Sequence, residues 1–180
     1  EMQQQQKTLL RLIFMGIMIA LGVVISPLLR VEGMCPMAHL INICCAVLLG
    51  PADALLCAFL IGIIRMVLMS IPPLALTGAI FGAFLSGLLY RASGGKLVAA
   101  FLGEVFGTGV IGALISYPVM TYLWGRGGLT LFFYLPSFFM GTVIGGSLAM
   151  LLLVSLQRAN VLWKMQEALG TRRPLREVSR

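Results

Sequence analysis

The stretch LVAAFLGEVFGTGVIGALISYPVMTYLW, residues 97–124, carries a single charge, Glu104. As a helix it would be about 42 Å long, more than the ~30 Å of a bilayer's hydrocarbon core, so it can tilt or bend. Pro118 is the expected kink point. A helix in water needs a polar face, and this one has none, so lipid and neighbouring helices are its natural surroundings.

The same pattern recurs on both sides. Breaks at Arg30 to Pro36, Gly50-Pro51, Ile71-Pro72-Pro73, Arg91 to Lys96 and Gly125 to Gly128 divide the chain into six apolar segments. They are Thr8–Leu29, Met37–Leu49, Ala52–Ile71, Leu74–Tyr90, Leu97–Trp124 and Leu131–Leu156. The chain is 180 residues, 59% hydrophobic and 11% charged, against roughly 25% charged in soluble domains. The expected fold is an all-α integral membrane protein of six transmembrane helices. Residues 1–7 form an N-terminal segment, 8–157 the membrane domain and 158–180 a basic tail. The first segment is too long for a signal-peptide core and is followed by further spans, so it reads as a retained helix. The second is only about 20 Å long and cannot cross unaided. Either it begins inside the preceding loop, or it sits in a thinned, protein-lined cavity. In the tail, Val161, Leu162, Met165 and Leu169 fall at helical spacing, which suits the membrane surface. The sequence leaves open whether the residues beyond Gly170 are ordered.

Net charge is +7, and its placement reads as topology. Lys7 and Arg11 precede the first span, Arg91 and Lys96 separate the fourth from the fifth, and Arg158, Lys164, Arg172, Arg173, Arg176 and Arg180 follow the last. The intervening loops of the other side keep Arg30 and Arg126. The positive-inside rule then puts both termini in the cytoplasm. A nucleic-acid surface, with basic residues spread over a fold and interleaved with aromatics, is not what this pattern describes. Cys35, Cys44, Cys45 and Cys57 form no C-x-x-C pair, so no zinc site is expected. No sequence repeat at a fixed period points to an inverted-repeat transporter.

Ionisable groups inside spans are costly and mark function. His39, Arg65 and Glu104 are the three that stand out, and Asn42 lies one turn from His39 on the same helix face. Counting rise from the loops puts Arg65 about 9 Å below one surface and Glu104 roughly 10 Å above the other, a gap that a long Arg side chain could largely close. Three readings stay open: a buried Arg65–Glu104 ion pair, a ligand contact through either residue, or an Arg65 that snorkels outward with Glu104 protonated. The same counting puts His39 near the outer mouth, bonded to a loop carbonyl or to a ligand. Tyr117, Tyr122, Trp124, Phe132, Phe133 and Tyr134 gather at the outer ends of the last two spans, as an interfacial belt or partly as a stacking wall. Tyr117, just below the interface, is the candidate for the wall. Gly103-x-x-x-Gly107 and Gly78-x-x-x-Gly82 predict close helix packing within the chain, while Gly16-x-x-x-Ala20 could face a partner. No phosphate-loop, H-E-x-x-H or G-x-S-x-G motif occurs, so ATP-driven transport would need another subunit.

Taken together, His39-Leu-Ile-Asn42, Ala46-Val-Leu-Leu-Gly-Pro51, Gly87-Leu-Leu-Tyr90, Gly103 through Ala113, Tyr117-Pro118 and Phe132-Phe133-x-x-Pro136 resemble the ThiW family. The resemblance covers about Leu9 to Leu156. It implies a substrate-binding S component of an energy-coupling factor (ECF) importer in the bacterial cytoplasmic membrane, with an outward cavity, no cofactor and no catalysis. It further implies hydroxyethylthiazole, the thiazole precursor of thiamine, as ligand, and as partners an EcfT-type coupling subunit and two ATPases. His39, Asn42, Glu104 and Tyr117 are the matching site positions, and Arg65 joins them through the depth argument. Small residues of the first helix form the docking face in such proteins. Gly16 and Ala20 are the positions here, although Val24 follows in register. The rival readings are an S component for another vitamin, such as thiamine, and a membrane enzyme or scaffold using Glu104 and His39. The estimated depths of those two residues speak against shared chemistry.

Overall fold

The computed structural model describes residues 2–31 and 34–171. It is an all-helical bundle. Helix α1 spans Met2–Ile25, α2 Pro36–Leu49 and α3 Pro51–Met69. Next, α4 (Leu74–Thr77) and α5 (Ile80–Ala92) form one broken span. Helix α6 (Leu97–Phe106) runs on through a π-helical stretch, Gly107–Gly112, into α7 (Ala113–Pro118) and a second one, Val119–Leu123. Helix α8 covers Leu135–Arg158 and α9 Leu162–Ala168. Five stretches are long and apolar enough to cross a membrane: Met2–Ile25, Pro51–Met69, Leu74–Ala92, Leu97–Leu123 and Leu135–Arg158. With α2 they account for the six segments expected, and the chain is a multi-pass membrane protein.

Helix α2 resolves the question raised by its length. Eleven of its fourteen residues are buried, and it packs against α1, α3, α5, α6 and α8. A helix apolar all round belongs inside protein, so α2 need not span anything itself. It hangs from the Gly50-Pro51 turn, where Gly50 has φ 94° and a Cβ would strike the Arg91 guanidinium at 1.9 Å. From that turn the helix reaches only about 21 Å. Its head is therefore recessed within the bundle, not level with the loops of the far end.

The glycine spacing works within the chain, as expected. A Cβ on Gly103 would lie 2.6 Å from Ser86 Cα, and one on Gly107 2.7 Å from Gly82 Cα, so α5 and α6 touch backbone to backbone. Distortion of the long fifth span begins earlier than Pro118 foretells. The first π-helical stretch starts at Gly107, where glycines let neighbouring backbones press in, and Pro118 borders the second. Residues 131–134 form turns ahead of α8, so the sixth helix starts later than expected.

The end of the bundle that holds the start of α1 also holds the α2–α3 and α5–α6 turns and α9. Arg11 pairs there with Asp53. Gln166 Nε2 donates to Val47 O (2.9 Å) and to Tyr90 Oη (3.0 Å), and Thr171 Oγ1 to Leu48 O (2.7 Å). These bonds satisfy carbonyls that the end of α2 leaves open. The amphipathic tail is thus a short helix folded onto the bundle as far as Thr171. The remainder of the tail, with the Arg172–Arg180 end of the basic cluster, lies outside the described residues.

Candidate functional site

The recessed head of α2 brings two polar side chains to α6. His39 Nδ1 lies 2.9 Å from Glu104 Oε1, and Asn42 Nδ2 donates to the same oxygen at 3.1 Å and to Ala79 O at 3.1 Å. Thr108, one turn beyond Glu104, donates its hydroxyl to Oε1 at 3.1 Å. Glu104 is fully buried, and His39 and Asn42 are 4% and 3% exposed. Burying a carboxylate in an apolar bundle is costly without such donors. The other oxygen, Oε2, has no partner and lies against the bare α-carbon of Gly82. A Cβ there would meet Thr108 Oγ1 at 2.0 Å and Glu104 Oε2 at 2.6 Å.

This pairing corrects two expectations. His39 and Glu104 do share a depth. His39 is eleven residues from Gly50, about 16 Å, and Glu104 seven from Leu97, about 10 Å, a gap that two side chains close. The counting from sequence erred by starting α2 at the outer mouth. Nor do Arg65 and Glu104 form an ion pair. The acidic partners among the described residues are Asp53 for Arg11 and Glu104 for His39. Helix α6 packs against α2, α5 and α8, whereas α3 packs against α1, α2, α4 and α5. Helices α2 and α5 thus stand between Arg65 and Glu104.

Arg65 faces a cavity instead. It has a volume of about 60 Å³ and is lined by Arg30, Met34, Cys35, Ala38, His39, Arg65, Ile71, Leu74, Ala75, Gly78, Ala79 and Phe138. One water needs roughly 10–15 Å³ on this measure, so there is room for a small ring rather than a lone solvent molecule. The lining comes from the start of α2, the end of α3, the α4–α5 break and α8. That places the cavity at the end of the bundle opposite the start of α1. Arg65 is 4% exposed. Its Nη2 reaches Cys35 Sγ at 3.5 Å, Cys35 donates to Ser26 O at 2.8 Å, and Arg65 Nε is buried without a partner. Snorkelling to the surface is not what this side chain does.

Of the predicted site residues, His39 and Arg65 line the cavity, while Asn42 and Glu104 stand behind His39. Tyr117 is half-buried on α7 and is not part of the lining. Phe138 supplies the aromatic surface there. Tyr122, Trp124, Phe132 and Phe133 are exposed, as a belt requires, but Tyr134 is buried against Phe138. Gly16 and Ala20 lie on the exposed face of α1, with nothing within 4 Å of where a Gly16 Cβ would be. Sequence reasoning passed over Thr108, Cys35 and Phe138. Thr108 had a signal, its i+4 spacing from Glu104. Among the described residues no group of His, Cys, Asp and Glu could hold a metal ion.

Residues 12–159 match the family described as thiamine-precursor transporter protein (ThiW). The match takes in every residue of the cavity. No curated protein and no solved structure matches the chain.

Proposed function

The chain belongs to the ThiW family of thiamine-precursor transporters, and on that premise we propose that it is the substrate-capturing S subunit of an ECF-type importer for hydroxyethylthiazole. The observation that carries this reading is the cavity between His39, Arg65 and Phe138, small, partly apolar and backed by a fully buried polar cluster. Such a site suits a small flat ring with one or two polar handles. Phe138, Leu74 and Ile71 cover the ring. His39 bonds the hydroxyl, which can donate or accept and so matches either ring-nitrogen state. Glu104, with Asn42 and Thr108 on the same oxygen, acts through His39: it holds Nδ1 and so fixes the orientation in which the imidazole meets the ligand.

The charges also separate the precursor from the vitamin. The thiazole of hydroxyethylthiazole is neutral, whereas the thiazolium of thiamine is a permanent cation. Arg30 and Arg65 on the lining disfavour a cation, and the poorly screened interior strengthens that repulsion. The cavity has no step to catalyse. Capture and release suffice. Both termini lie in the cytoplasm of a bacterial cell, in line with the basic end of the bundle. The exposed Gly16 and Ala20 face of α1 docks on an EcfT-type subunit, and two ATPases supply the energy that this chain has no motif to extract.

Equilibrium binding to the purified chain in detergent tests the reading. Hydroxyethylthiazole should bind saturably and thiamine at least about tenfold more weakly, a difference of roughly 1.4 kcal/mol. His39→Ala and Glu104→Gln should each weaken thiazole binding while the protein stays folded. Tight thiamine binding without saturable thiazole binding would assign the chain to a different vitamin.

A further inference from the structure

The cavity has a charge imbalance that a neutral thiazole leaves standing. Two guanidinium groups line it, Arg65 within the bundle and Arg30 at the mouth, and among the described residues no carboxylate does. The acidic residues among the described ones are Asp53, Glu104 and Glu167. Asp53 pairs with Arg11, Glu104 takes its three donors behind His39, and Glu167 lies on α9 at the other end. Arg65 is 4% exposed, its Nη2 donates to the weakly accepting Cys35 sulfur, and its Nε is unpartnered. A guanidinium so placed loses most of its water and gains no compensating charge from the described residues, one of the costlier arrangements a fold can carry. A buried charge of this kind is kept where a ligand completes it.

We propose that the cavity takes an oxyanion, a phosphate or carboxylate carried on the side chain of the thiazole-type ligand, with Arg65 as its main partner and Arg30 beside it at the mouth. The planar fork of Arg65 suits two oxygens of one such group. Resting on the thiazole reading above, this makes the preferred substrate an acidic derivative of the precursor and the alcohol a weaker relative.

The test uses the full chain in a phosphate-free, non-ionic detergent, so that no lipid phosphate competes. Binding is measured for hydroxyethylthiazole, for its phosphate monoester and for inorganic phosphate alone. The ester should bind at least about tenfold tighter than the alcohol. Arg65→Gln should remove that preference, costing the ester tenfold or more and the alcohol no more than about threefold. Equal binding of ester and alcohol, or equal losses for both in Arg65→Gln, overturns the proposal. If phosphate alone binds in an Arg65-dependent way while neither thiazole does, the oxyanion site stands and the thiazole reading falls. If the alcohol binds and neither anion does, the reverse holds. A ligand-free measurement adds a check: Arg65→Met should raise the melting temperature, because it removes an uncompensated buried charge. A fall would make Arg65 part of the folded core and overturn the proposal.

Discussion

Three donors on Glu104 Oε1 and none on Oε2 give the two oxygens of one carboxylate different surroundings. The first organises His39 and Asn42. The second is tolerated only because Gly82 leaves space beside it. Gly82→Ala should therefore lower stability by about 1–3 kcal/mol through overpacking, seen as a fall in the thermal midpoint in detergent. An unchanged midpoint would show that Thr108 and Glu104 can move aside without loss. At this scale the sequence was informative about identity and less so about pairing. A His, an Asn, an Arg and a Glu in apolar runs announce themselves by cost alone. That Glu104 would meet His39 and not Arg65 depended on which helices stand between them. Tyr117 was chosen for its height in the span, and height says nothing about which way a helix faces.

Helix α2 sets the depth of the site because it is short and attached at the far end. Its last carbonyls are capped by Gln166 and Thr171, about 12–14 Å along the helix from His39. The double variant Gln166→Ala, Thr171→Val should cost about 1–2 kcal/mol, one net hydrogen bond or so for each residue, and should leave thiazole affinity within about twofold. Denaturant titration and binding on the same preparation check both halves. A large loss of affinity would mean that the tail acts on the site through α2. The length of α2 was plain from Pro36 and Gly50-Pro51. What it implied was not, since a fourteen-residue apolar run reads the same whether it lies at the surface, in a thinned bilayer or inside a bundle. The π-helical stretch at Gly107–Gly112 was likewise out of reach, because its three glycines mark close packing equally well in a regular helix and the distortion depends on the neighbouring helices.

Across the whole molecule, composition and loop signals were enough to divide the chain into its spans, because lipid tolerates so few charges. The partition of basic residues agrees with the two ends of the bundle, and the cytoplasmic assignment makes a direct prediction. In a background without reactive native cysteines, Gln3→Cys should resist a membrane-impermeant maleimide in intact cells, and Gly127→Cys, in the exposed loop at the other end, should react. The opposite pattern would invert the protein and turn its cavity toward the cytoplasm. Only the side chains around the cavity decide what enters it, and Cys35 is a natural reporter there. It is half-buried on the lining, while Cys44, Cys45 and Cys57 are buried elsewhere in the core. The most direct test of the central claim is the rate at which a small thiol reagent modifies Cys35 in the purified chain, with and without ligand. A thiazole precursor should slow that rate saturably, by about tenfold or more, and thiamine at the same concentration should not. An unchanged rate at concentrations where the precursor is bound would place its site elsewhere and contradict the account.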